Sequence, residues 1–120
     1  MITYASEPES PVIELRVSGH ITEDELAANM DRMRTDLDGG KTRVIEIIEG
    51  FTGIEPAALF ADIRLGLPLA RKVDRVAVVA DQAWIRGVSH LSPLFTGAKV
   101  KVFRDEQLAE ARSWIRADEA

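Results

Sequence analysis

The pattern of apolar and polar positions divides the chain into strands and helices with little ambiguity. Ile2-Thr3-Tyr4 reads as a short strand, followed by a turn-rich connection over Glu7 to Pro11. Val12 to Val17 (VIELRV) alternates apolar and polar residues, the period of a strand with one solvated face. Ser18-Gly19-His20 is expected to end it. Thr22 then stands three residues before Glu25, the spacing of a capping box, in which the hydroxyl accepts from an early helix N–H and the carboxylate reaches back. Leu26, Met30, Met33 and Leu37 continue as one apolar helical stripe, and Asp38-Gly39-Gly40 stops it.

The next run, Val44 to Ile48, is almost wholly β-branched, as expected of an interior strand covered on both faces. A loop is expected over Gly50 to Gly53, then a helix from Pro56 through Leu65 that Gly66 and Pro68 interrupt. Val76 to Ala80 is a second buried strand, and Asp81 suits the cap of a helix carrying Trp84, Val88, Leu91 and Phe95. Lys99 to Phe103 alternates and reads as a strand near the sheet edge. Asp105 is the expected cap of a last helix that buries Leu108, Ala111 and Ile115. Strands separated by helices need crossovers. The expected fold is therefore α/β: one domain over residues 1–120, about five strands, mostly parallel with an N-terminal hairpin, flanked by about four helices.

Composition narrows the function. The 120 residues suit one domain, and 46% hydrophobic content supports a real core. A net charge of −5 gives no electrostatic footprint for nucleic acid, so none is expected as a partner. The absence of cysteine removes disulfide and thiolate chemistry and suits a reducing compartment. Met1 to Pro11 lacks the order of a signal peptide, and no apolar run approaches a membrane span, so a cytoplasmic location is expected.

Catalytic constellations are poorly supported. His20 and His90 have no second histidine at helical spacing and no cysteine to complete a metal site. Ser89 and His90 are adjacent, so on a helix they diverge by about 100°. Gly50-Phe51-Thr52-Gly53 lacks the phosphate-binding patterns and is read as turn geometry. Glu46, Glu49 and Glu55 bracket one strand end, where a buried carboxylate would be a general acid, but no partner residue is evident. Catalytic residues, metal and cofactor are accordingly all expected to be absent. The clearest functional pattern is apolar: Phe51, Phe60, Leu65, Leu67, Leu69 and Trp84 fall around the interrupted helix and the carboxyl ends of the strands, where open α/β sheets bind ligands. Arg64, Arg71, Lys72 and Arg75 are expected to rim that patch with positive charge. Phe51, Phe60, Arg64, Leu67, Asp81 and Trp84 are the candidate binding residues.

Several stretches carry a family likeness. They are Asp62-Ile63-Arg64-Leu65-Gly66, Val73 to Val79 (VDRVAVV), the Asp81 to Trp84 step, Val100 to Phe103, and Glu110 to Ile115 (EARSWI). On these residues the chain resembles the SpoIIAA-like proteins, relatives of the STAS domain of anti-sigma-factor antagonists. The resemblance implies the STAS-related fold and a bacterial, non-enzymatic regulatory role. It implies docking to a regulatory protein partner or, alternatively, binding of an apolar or lipid-like ligand with peripheral membrane contact; a homodimer is compatible with it. STAS antagonists that are switched by phosphorylation carry an Asp-Ser-Ser type turn at the start of the helix after the third strand. The corresponding residues here, Ile54-Glu55-Pro56-Ala57-Ala58, hold no serine, so that switch is expected to be missing. The segment Gly53 to Lys72, broken by Gly66 and Pro68, is the expected mobile piece.

Overall fold

The computed structural model describes residues 1–54, 71–81 and 99–117, with backbone only over 51–54. Five strands form one sheet: β1 (Ile2–Ser6), β2 (Val12–Ile21), β3 (Arg43–Ile54), β4 (Arg75–Ala80) and β5 (Lys99–Arg104). Their spatial order is the chain order, β1-β2-β3-β4-β5. β1 pairs antiparallel to β2, and every other neighbouring pair is parallel. The expected mixed sheet with an N-terminal hairpin is the one found. Two α-helices lie among the described residues, α1 (Glu23–Asp38) and α2 (Leu108–Arg116), against an expectation of about four. The other two expected helices fall on residues 55–70 and 82–98, outside the described part.

The two faces of the sheet hold separate cores because strand residues alternate sides. On one face, Ile13, Leu15, Val17, Val44, Ile48, Val76 and Val78 meet Leu26, Met33 and Leu37 of α1. Met30 completes that stripe half-buried. On the other face, Val12, Ile45, Ile47, Ala77, Val79 and Phe103 meet Ala111 and Ile115 of α2. β4 is buried along its whole length, as the unbroken apolar run Val76 to Ala80 requires; only Arg75, which opens it, is charged. Ala77 and Ala111 are both fully buried in the second core, and small side chains at such a crossing let a helix lie close to the sheet. Trp114 packs half-buried against this core, its ring 6.0 Å from that of Phe103. β5 alternates exposed and covered positions, with Lys99 and Lys101 in solvent, as the edge reading anticipates.

Local differences from the sequence reading have identifiable causes. β2 does not stop at Ser18 but runs on to Ile21, and the expected loop over Gly50 to Gly53 is instead the extension of β3. Pairing skips from Val17↔Ile48 to Gly19↔Phe51 and then to His20↔Gly53. Glycines in the left-handed region, Gly19 at φ 65° and Gly50 at φ 54°, accommodate these bulges, so they kink a ladder where sequence alone suggests a break. Thr22 caps α1 as expected, its Oγ1 accepting from Glu25 N–H at 3.2 Å. The Glu25 carboxylate, however, accepts from Ile2 N–H on β1, so the second half of the capping box becomes a tertiary link. Asp105 opens a 3₁₀ turn over Asp105–Gln107 and does not cap the last helix; Gln107 Oε1 closes that turn by accepting from Arg104 N–H at 3.0 Å, and Gln107 precedes α2 without a side-chain cap of its own.

Candidate functional site

The carboxyl ends of the parallel strands are built as a step. β3 and β4 share rungs from Arg43↔Arg75 to Ile47↔Val79, and β4 stops at Ala80. β2 and β3 remain paired well past that level, through Gly19↔Phe51 and His20↔Gly53 to Ile21↔Ile54. The β2–β3 ribbon therefore projects beyond the end of β4, and the two bulges set its course. Asp81 lies at the foot of the step, exposed, directly after Ala80. Arg104, also exposed, ends β5 opposite Ala80. On the sheet face shared with α2, Arg16 Nη1 and Glu49 Oε1 join the two ribbon strands at 2.5 Å, both half-exposed. Farther down the same face, Arg112 of α2 reaches Glu14 at 3.2 Å.

Of the candidate binding residues, Asp81 is at this step and the backbone of Phe51 lies in the projecting ribbon. Phe60, Arg64, Leu67 and Trp84 fall outside the described residues, as do Leu65, Leu69 and His90. His20 is exposed on the ribbon. Of the three glutamates, two lie within β3. Glu46 is half-buried in mid-strand between Leu15 and Val78, Glu49 is bonded to Arg16, and Glu55 is outside the described residues.

The expected rim of cations needs correction. Arg75 begins β4, so it lies at the pole of the sheet opposite Asp81. It is 6% exposed, the one buried charged residue described. Its guanidinium donates to Trp114 O at 3.0 Å and Ala117 O at 2.5 Å, and stands 5.6 Å from the Trp114 ring centroid. Arg43, paired in register with Arg75, donates to Ile115 O at 3.1 Å. Two arginines thus satisfy the carbonyl end of α2, whose partial negative charge favours cations. Lys72 is bonded to Asp38 at the end of α1. Neither Lys72 nor Arg75 belongs to a rim around the strand carboxyl ends. A sequence signal for this anchor exists: Arg43, Arg75 and Lys99 each open a strand run, at matching register.

A second polar cluster went unanticipated. Tyr4 on β1 donates from its hydroxyl to the Asp36 carboxylate on α1, Ser6 Oγ donates to the same oxygen at 3.3 Å, and the Arg32 guanidinium lies 4.2 Å from the Tyr4 ring centroid. Burial, then the hydrogen bond and charge of Asp36, push the phenol well above its ordinary value, with Arg32 opposing. The alternation that puts Ile2, Tyr4 and Ser6 on one face is its only trace in the sequence. Among the described residues no helix is long and apolar enough to cross a membrane, and no three His, Asp or Glu side chains converge on a metal-sized site.

Known proteins place this architecture. An uncharacterised DUF3478-family protein of Shewanella loihica with a SpoIIAA-like fold superposes with a TM-score of 0.74 at 19% identity, covering 96% of this chain and 92% of that one. The anti-sigma factor antagonist SpoIIAA in its unphosphorylated form gives a TM-score of 0.64 at 13% identity, covering 92% and 96%. The Bacillus cell fate determinant SpoIIAA in its phosphorylated form also gives 0.64, at 15% identity, covering 92% and 97%. At such identities the likeness is one of fold. No curated protein matches the chain. The SpoIIAA-like family profile matches residues 12–116, from the start of β2 to the last residue of α2, and by that match across nearly its whole length the chain belongs to the SpoIIAA-like family.

Proposed function

We propose that this protein is a non-enzymatic regulatory module that docks a protein partner at the carboxyl ends of its parallel strands. The observation that carries the reading is the step itself: a bulged β2–β3 ribbon overhangs the end of β4, with Asp81 exposed at its foot. Crevices outside the carboxyl ends of strands are the usual binding positions of open α/β sheets. The shared fold of an anti-sigma factor antagonist supports a docking role over a chemical one. That protein is known in unphosphorylated and phosphorylated forms, whereas residues 54–58 here contain no hydroxyl. Regulation through a phosphoserine at the start of that segment is therefore not part of the proposal.

A photoreactive amino acid at position 81 tests it in cells of the source organism. A discrete protein adduct is expected from position 81 and none from position 113, exposed on α2. Equal labelling at both positions, or none at 81, overturns the docking reading.

A second reading, binding of an apolar or lipid-like ligand at the same end, is favoured by Phe51, Phe60, Leu67 and Trp84. Phe51 lies in β3, Phe60 and Leu67 flank Arg64 in the segment between β3 and β4, and Trp84 follows β4 in sequence. Placement of Arg75 and Lys72 elsewhere removes part of the charge that a membrane contact would use. Native mass spectrometry of the purified protein, with flotation on phosphatidylglycerol and phosphatidylcholine vesicles, separates the readings. A retained apolar molecule or anionic-vesicle binding favours this second reading over the first.

A further inference from the structure

The two edges of the sheet differ in kind. β5 presents Lys99, Lys101 and Arg104 to solvent, charges of the sort that keep an edge strand from pairing with another chain. β1, Ile2-Thr3-Tyr4-Ala5-Ser6, carries no charge. The direction of its hydrogen bonds follows from its ladder. Ser18 N–H donates to Met1 O at 2.8 Å, and the Met1 amino group donates to Ser18 O, so these two residues form a hydrogen-bonded pair. The register runs without a bulge from Ile2↔Val17 to Ser6↔Ile13, and bonded pairs alternate with non-bonded ones in antiparallel ladders. Thr3 and Ala5 therefore bond inward to β2, while Ile2, Tyr4 and Ser6 direct N–H and C=O outward. The carboxylate of Glu25 meets the outward Ile2 N–H, which agrees with this assignment. Tyr4 and Ser6 then offer two further rungs at an edge that no other strand covers among the described residues.

The chemistry beside this edge is acidic. α1 flanks it, with six Asp and Glu against two Arg and no basic residue in its last turn. Just past Ser6 opens a cleft of about 560 Å³, lined among others by Glu9, Asp36, Gly39, Gly40 and Lys41. Lys41 directs its ammonium to the carbonyls of Glu7 and Ser10, closing the turn between β1 and β2. The cleft is left with the Glu9 carboxylate, the Asp36 carboxylate that also accepts from the uncharged Tyr4 and Ser6 hydroxyls, and the negative end of the α1 dipole. A second copy of the chain is a poor occupant, since each copy carries a net charge of −5 and would set one acidic α1 against the other.

We propose that the outer edge of β1 accepts an extended, basic segment of a partner protein as a sixth strand, with a lysine or arginine of that segment in the cleft beyond Ser6. Backbone rungs would supply affinity and the cleft side-chain selectivity, the division of labour in β-strand addition. This surface lies at the β1 edge, apart from the step at Asp81, so either proposal stands without the other.

Selection of a phage-displayed random octapeptide library on the full chain tests it. Enriched peptides are expected to share a lysine or arginine at one position and to lack proline at alternate positions. Ser6→Pro removes an outward donor and no β1–β2 bond, and should weaken a selected peptide about tenfold. N-methylation of alternate amides in that peptide, measured on the unaltered protein, asks the same question without risk to folding. Paired Glu9→Gln and Asp36→Asn substitutions should weaken it roughly three- to tenfold and flatten its salt dependence. Amide NMR shifts should centre on Tyr4, Ser6, Gly39 and Gly40. No enrichment, enrichment of acidic or uncharged sequences, or full binding by the N-methylated peptide would overturn the proposal.

Discussion

The two poles of the parallel sheet treat charge in opposite ways. At the amino ends of β3 and β4, Arg43 and Arg75 are drawn under α2 and bonded to Trp114, Ile115 and Ala117 carbonyls. At the carboxyl ends, Arg16, Glu49, Asp81 and Arg104 stay in water. A buried guanidinium is tolerated only where fixed acceptors replace its hydration, and the carbonyls at a helix end are such acceptors. Half-exposed ion pairs lose little when rearranged. The first pole is therefore an anchor, whereas the described ion pair at the second costs little to rearrange.

Substitutions can break this contrast, and Arg75 should give the largest effect. Arg75→Ala strips the carbonyls of Trp114 and Ala117 of their donor and should cost about 3 kcal/mol in urea unfolding. A loss below about 1 kcal/mol would mean that the anchor is no firmer than a surface pair. Arg43→Ala removes a single bond to Ile115 O and should cost roughly 1–2 kcal/mol. Gly50→Ala probes the other pole. No atom lies within 4 Å of the added Cβ, so the cost is that of a left-handed alanine, about 1 kcal/mol, and it should also disturb any partner bound at the step. Arg16→Ala should change stability by less than about 0.5 kcal/mol, because its partnership with Glu49 is half-exposed.

Tyr4 sharpens the same distinction by pH. Its folded-state pKa is raised, so its contribution is fully present below the unfolded phenol value of about 10 and is lost as pH rises beyond it. Tyr4→Phe should flatten the alkaline fall in stability relative to the wild type. Because the chain has one tyrosine, the tyrosinate absorbance of the native protein reports this group alone, and its midpoint should lie above that of the free phenol. A native midpoint near 10 would show that Asp36 and burial do not hold the proton.

Legibility followed the range of the interaction. Val44 to Ile48, Val76 to Ala80 and the Leu26-Met33-Leu37 stripe were readable because burial imposes a period on nearby residues. The ends of β2 and β3 were not, since glycine marks both a break and a bulge, and only pairing with a neighbouring strand separates the two. The place of Asp81 at a strand end was readable because it follows a buried run, and the family because its motifs are core and cap positions. The misplacement of Arg75 arose from reading sequence proximity to Arg71 and Lys72 as one surface. Parallel strands separate such neighbours, because a residue opening a strand lies at the far pole from one closing it.

By itself, then, the sequence determined the α/β class, the order of strands along the chain, the helix cap at Thr22 and the edge character of β5, all consequences of local pattern and side-chain chemistry. Only the tertiary structure decided that Glu25 serves β1, that Arg43 and Arg75 hold α2, that the β2–β3 ribbon overhangs Asp81, and that β1 presents an open edge beside acidic groups. Those features join residues up to 72 positions apart, and such contacts depend on register and helix placement, which no local periodicity encodes.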